Sequence, residues 1–239
     1  MDDLFDNPVD RLAYETFCEE QERAGSEPFQ LAEPALVCRW RMASRQVPLL
    51  NRHIRALSRR AVNGLPLTRN MLAWAKQHVE WSLAEGTYED PNGVLMLVVD
   101  VDGNAAMTVG PYEPLPETGI EALLDRARRA RVEQGETGVA PELLCTLRDG
   151  ALELAADPVE PLAGSADLLE QLVRTLGRDV RRAGGGAAES LAHAGAALLV
   201  SDEHGVVVAD EALAAGPEGD VGFARELARG VSRLFEGRR

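Results

Sequence analysis

AALLVSDEHGVVVADEALAAGPEGDVGFARELARGVSRLF, residues 196–235, decides the fold class. AALLV (196–200) and GVVVA (205–209) are short apolar runs flanked by turn residues, which predicts two strands joined by SDEH (201–204). A Gly- and Pro-containing lead then opens a closing helix over 221–235. Upstream, ELLCTLRDGALEL (142–154) reads as a hairpin turning at Asp149-Gly150. Between the pairs, Leu168, Leu169, Leu172, Val173 and Leu176 repeat at helical spacing, predicting a helix from near Ser165 that ends at Gly177. RRAGGGAAES (181–190) reads as a flexible loop leading into a short helix.

Upstream the pattern changes. Residues 8–24 read as an acidic helix opened by Pro8 and ended by GSEP (25–28). ALVCRWRM (35–42) alternates Leu36, Cys38, Trp40 and Met42 against Val37, Arg39 and Arg41, a half-buried strand with QVPLL (46–50) as its expected partner. A helix over about 50–62 is expected, closed by Asn63-Gly64 with Pro66 beyond. Thr68 caps a helix to about Glu85, whose Met71, Leu72, Ala75, Val79 and Leu83 form an apolar stripe. VLMLVVD (94–100) and NAAMTVG (104–110) form a hairpin through Asp102-Gly103. Three prolines mark PYEPLPETG (111–119) as a linker, and Thr118 with Glu121 predicts a capping box for a helix to about Gln134. The expected division is an acidic N-terminal helical extension (1–33), a small α+β domain (34–110), the linker (111–119) and a larger mixed α/β domain (120–239). No internal repeat is evident.

Hydrophobic residues make up 45% and charged residues 27%, as in ordinary globular chains. A net charge of −14 opposes nucleic-acid binding, which needs a basic face. No run is apolar enough to span a membrane, and the acidic MDDLFDNPVD start does not read as a signal peptide, so a cytoplasmic location is expected. Cys18, Cys38 and Cys145 are spaced for neither a metal nor a redox pair and read as reduced thiols. Ten acids against two arginines give residues 1–33 a charge of −8, whereas residues 34–69 carry eight arginines and no acid, +8. Either the acidic segment lies across the basic one, or the arginines line an anion pocket.

LLNRHIRALSRRAVNGLP (49–66), LAGSADLLEQLVRTLG (162–177) and the span 197–230 occur in an order and spacing that resembles the class IV aminotransferases, over residues 34–236. That family includes branched-chain and D-amino-acid aminotransferases and aminodeoxychorismate lyase. The resemblance implies an α+β, two-domain class IV PLP-enzyme-like fold, pyridoxal phosphate (PLP) as family cofactor, and a homodimer. It also implies a Schiff-base lysine after the linker, but Lys76 is the only lysine in the chain. Arginine cannot replace it, because guanidinium stays protonated. The family's phosphate-binding arginine falls at Ala56, with Arg55 and Arg59 nearby; its G-I-T-R helix start reads Gly164-Ser165-Ala166-Asp167; its loop threonine falls at or beside Ser201-Asp202. A dianion ~4–6 Å from either aspartate would lose on the order of 1 kcal/mol or more.

The expectation is therefore an aminotransferase class IV-like pseudoenzyme: no catalytic residue, no bound cofactor, no metal site. A small anionic ligand would occupy the cleft lined by Arg55, Arg59, Ser165 and Ser201. Two alternatives stand beside it. One is an active PLP-dependent aminotransferase or lyase using Lys76, or holding its cofactor without a Schiff base. The other is a protein-interaction subunit docking through residues 1–33. Lys76 reads as a solvated partner of Glu80. His53 reads as structural or as an anion contact, and His204 as an exposed turn residue or part of a divalent-ion site; His78 and His193 pair with no metal-ligand spacing. Ser165, Ser201 and Ser232 lack a G-x-S-x-G elbow, and Gly184–Gly186 lacks the strand–helix context of a P-loop. Trp40, Trp74 and Trp81 are expected in the core.

Overall fold

The computed structural model describes residues 8–24, 31–86, 88, 90–138, 140–184, 191, 194–210 and 218–236. GSEP (25–28), His193, Gly185 and Gly186 lie outside them.

The N-terminal sheet is three antiparallel strands in the order β1 (Pro34–Arg41), β4 (Val94–Asp100), β5 (Ala105–Gly110). Trp40 sits opposite Leu95 and Cys38 opposite Leu97. The expected 46–50 partner does not form: Gln46 makes one isolated bridge to Ala43, and the chain turns into helix α2 (Leu50–Leu57). β1 is completed instead by a strand more than fifty residues away. The helix also stops short of residue 62. Asn63 and Gly64 both take positive φ, +49° and +76°, and reverse the chain between β2 (Ala61–Val62) and β3 (Leu65–Pro66). Asn-Gly thus makes the two-residue hairpin turn it favours rather than a helix stop. Helix α3 (Arg69–Glu85) follows as expected, with Thr68 Oγ1 accepting from the Met71 amide at 3.2 Å and Leu72, Ala75, Val79 and Leu83 buried. Helix α1 (Pro8–Ala24) packs on α3, where the Tyr14 hydroxyl donates to Gln77 Oε1.

The C-terminal sheet runs β10 (Gly205–Val208), β9 (Ala196–Ser201), β6 (Leu143–Arg148), β7 (Ala151–Leu154), β8 (Val180–Arg182). Only β7–β8 is parallel. The β8 strand, VRR, replaces the start of the expected loop at 181. Helices α5 (Gly164–Thr175) and α6 (Glu218–Ser232) cover one face over Leu143, Cys145, Leu147, Leu198 and Val200. Helix α4 (Ile120–Thr137) covers the other, where Leu123 and Ala127 meet Leu144 and Leu199. Double-sided burial explains why these strands read as continuous apolar runs. The capping box at α4 is absent: Gly119 holds the N-cap position, and the Thr118 hydroxyl instead donates to Asp210 Oδ2. At the other end, Gly138 has φ +62°, and a Cβ there would lie 1.8 Å from the Ala35 carbonyl oxygen, so glycine lets β1 pass the helix end.

Two buried aspartates fasten loops. Asp100 is fully buried and accepts from the amides of Ala32, Asp102 and Asn104 and from the Asn104 side chain, at 2.8–3.1 Å. Burial alone would raise its carboxyl pKa, but these donors outweigh it and hold the group below the usual carboxylate range. Asp220 accepts from the amides of Asp149 (2.9 Å) and Gly150 (2.7 Å), tying the β6–β7 turn to α6. Cys38 and Cys145 are buried and all three cysteines are free. Trp81 departs from expectation at 58% exposed: Val79 and Leu83, two residues to either side, hold the core face, so position 81 falls on the opposite side of α3. Among the described residues, no helix is long and apolar enough to cross a membrane.

Candidate functional site

Between the two sheets lies a cleft of about 300 Å³, walled by β1, α2, the end of α4, the lead into α5 and the β9–β10 turn. Asp202, in the β9–β10 turn, ties three of these walls together. Its carbonyl accepts from the Arg41 amide at 3.0 Å. Its Oδ1 accepts from the Ser165 amide, in the first turn of α5, at 2.7 Å, and its Oδ2 meets His53 Nδ1 at 3.1 Å. Burial would raise its pKa, but the His53 ring and the hydrogen bonds from His53 and Ser165 overcome it, leaving the carboxyl below its ordinary value. His53 is fixed by stacking on Trp40, with centroids 5.0 Å apart and planes at 13°. Space requires glycine at 164, because a Cβ there would sit 2.5 Å from His53 Nδ1.

The aspartates expected to repel an anion are thus neutralised from within. Asp167 pairs with Arg52 at 2.9 Å and with Arg59 at 3.6 Å. Around the rim, Arg39 pairs with Glu133, Arg126 with Glu142 at 2.8 Å, and Arg131 with Glu160. The basic 34–69 segment therefore meets acids of the C-terminal half at Arg39, Arg52 and Arg59. Among the described residues lining the cleft, two charges have no partner within 4.0 Å: Arg60 and Glu203. Burial lowers the Arg60 pKa, opposed by the nearby Cys38, Asp202 and Glu160. Cys38 offers no thiolate, since burial pushes it up to about 12.

Of the expected site residues, Arg59 and Ser201 line the cleft, but Arg59 is committed to Asp167 and the Ser201 hydroxyl accepts from the His204 amide at 2.8 Å. Arg55 is exposed and points elsewhere, while Ser165 contributes its amide to Asp202 rather than to the cleft surface. Arg60 lines the cleft without a carboxylate partner among the described residues. No local signal singles it out: Arg60 lies just beyond the end of α2, among several arginines of the same segment. His204 is no exposed turn residue either; its side chain is 4% exposed, against Tyr112.

No protein-family model matches the chain, and no curated protein is similar to it in sequence. Solved structures are similar in fold. A hypothetical aminotransferase from Mycobacterium tuberculosis in its PLP-bound form has 15% identity and a TM-score of 0.55, over 87% of this chain and 94% of that one. A branched-chain aminotransferase from Thermoproteus uzoniensis with norvaline has 13% identity and a TM-score of 0.56, over 87% and 90%. The 4-amino-4-deoxychorismate lyase of Pseudomonas aeruginosa has 14% identity and a TM-score of 0.55, over 83% and 90%. The chain has the α+β fold of the class IV aminotransferases.

These neighbours correct one expectation. The absence of a cofactor does not stand, because the Mycobacterium tuberculosis protein is solved in PLP-bound and PMP-bound forms, and PLP is the cofactor to which the fold points. The residues here suit one part of that molecule. Arg60 offers an uncommitted cation for a phosphate or carboxylate. They do not suit an imine: Lys76 is on α3, 3.9 Å from Glu80, and does not line the cleft.

Proposed function

We propose that this chain is a class IV aminotransferase-like protein whose cleft binds a small phosphate- or carboxylate-bearing molecule, PLP among them, by ion pairing at Arg60. In this reading it lacks the Schiff-base lysine and is non-catalytic in transamination. The observation that carries it is the uncommitted Arg60 guanidinium in a cleft where other cations are matched by carboxylates. An unpaired, partly desolvated charge costs stability, which an incoming anion offsets. His53 is held by Asp202 and Trp40, so it shapes the wall and carries no proton to a ligand through Nδ1. The chain is read as cytoplasmic and, as the family resemblance implies, homodimeric.

Calorimetric titration with PLP, and separately with inorganic phosphate, tests this. Arg60→Ala should weaken PLP by about tenfold or more, the ~1.4 kcal/mol of one charge-assisted contact. Equal affinity in the variant would overturn the assignment. Turnover of amino acids with 2-oxo acids that depends on Lys76 would instead favour the active-enzyme reading.

A further inference from the structure

We infer that Glu142, Glu203 and His204 form a binding site for a divalent transition-metal ion of the zinc type. One donor atom from each residue lies within 4.8 Å of the others. The His204 side chain is 4% exposed and Glu142 8%. His204 Nε2 is buried without a hydrogen-bond partner among the described residues, and it faces Glu142 Oε1 at 3.9 Å. An imidazole nitrogen buried and unpartnered beside two carboxylates is costly unless something fills the space between them. The long 3.5 Å contact from Nδ1 to the Tyr112 hydroxyl suits a tautomer with the proton on Nδ1, which leaves the Nε2 lone pair free to coordinate.

Charge decides which ion fits. Arg126 spans both oxygens of Glu142, at 2.8 and 2.9 Å, and the Arg41 guanidinium lies over the Tyr112 ring. Two arginines cancel the two carboxylates, so a hard ion such as calcium or magnesium, which relies on net negative charge and oxygen donors, has little to hold it. An ion that bonds strongly to imidazole needs no net charge. Ligands around such an ion lie about 3.5 Å apart, so small rotamer changes in Glu203 and Glu142 suffice. Bound there, it would tie the approach to β6 to the β9–β10 turn. It would also add positive charge to the wall that Glu142 and Glu203 share with Arg60.

The test uses the full chain stripped with chelator, titrated with Zn²⁺ in competition with a chromophoric chelator, and with Co²⁺ as a spectroscopic probe. The expected result is one saturable equivalent with ligand-field bands in the visible. His204→Gln and Glu203→Gln should each weaken uptake by about tenfold or more, with thermal melts confirming that they fold. Glu203→Gln, at a partly exposed position, keeps the test open should His204→Gln not fold. His78→Gln should leave uptake unchanged, which separates this site from the other histidines. No saturable uptake, or uptake indifferent to both site variants, would overturn the assignment.

Discussion

Two walls of one cleft treat charge in opposite ways. At the start of α5 the charges are matched internally: Asp202 takes the Ser165 amide and His53, and Asp167 takes Arg52 and Arg59. On the wall beside β1, Arg60 is left without a partner among the described residues. The first wall matches its charges internally, and the second leaves a cation unmatched. A helix N-terminus attracts an anion, and in this chain that anion is the protein's own carboxylate.

The largest effect should come from breaking the satisfied wall. Asp202→Ala strands the Ser165 amide and His53 and should cost about 3 kcal/mol, read as a shift in urea midpoint at constant slope. Asp100→Ala, which removes the acceptor of four donors outside the cleft, should cost about 2–3 kcal/mol in the same assay. If both losses match, the α5 wall is an ordinary loop fastener with no special relation to the cleft. The two carboxylates should also share a pH signature. Each has a folded-state pKa below its unfolded value of about 3.9, so each contribution is complete above that pH and fades as pH falls through the folded value. Wild-type stability should fall on acidification below about pH 4, and the drop should shrink in either variant. Arg60→Ala should leave stability unchanged or raised by about 0.5 kcal/mol or less, because no paired partner is lost. Lys76→Ala should change it by about 0.5 kcal/mol at most, since its partner Glu80 lies 3.9 Å away and is more than half exposed.

The strands from 94 to 110, 142 to 154 and 196 to 208 were legible because alternation, apolar runs and Asp-Gly turns act locally. The partner of β1 was not, since it is chosen by tertiary pairing with β4 across two intervening helices. β8 is three residues of VRR, too short and too charged to show a period. Asn63-Gly64 was read with the right conformation and the wrong element, because a positive φ serves hairpins and helix ends alike. At the site, the aspartates of Gly164–Asp167 and Ser201-Asp202 were recognised as hostile to an outside anion. That they neutralise inside partners depends on α2 meeting α5, which no local pattern encodes. Arg60 was hidden among eight arginines of one segment, and only the fold separates the paired from the spare. The burial of His204 likewise follows from Tyr112 arriving from beyond β5.

The most direct measurement is borohydride reduction of the protein saturated with PLP, followed by intact mass and peptide mapping. The account predicts reversible binding, lost on gel filtration, with the protein mass unchanged by reduction. A covalent pyridoxyl adduct mapped to Lys76 would contradict it.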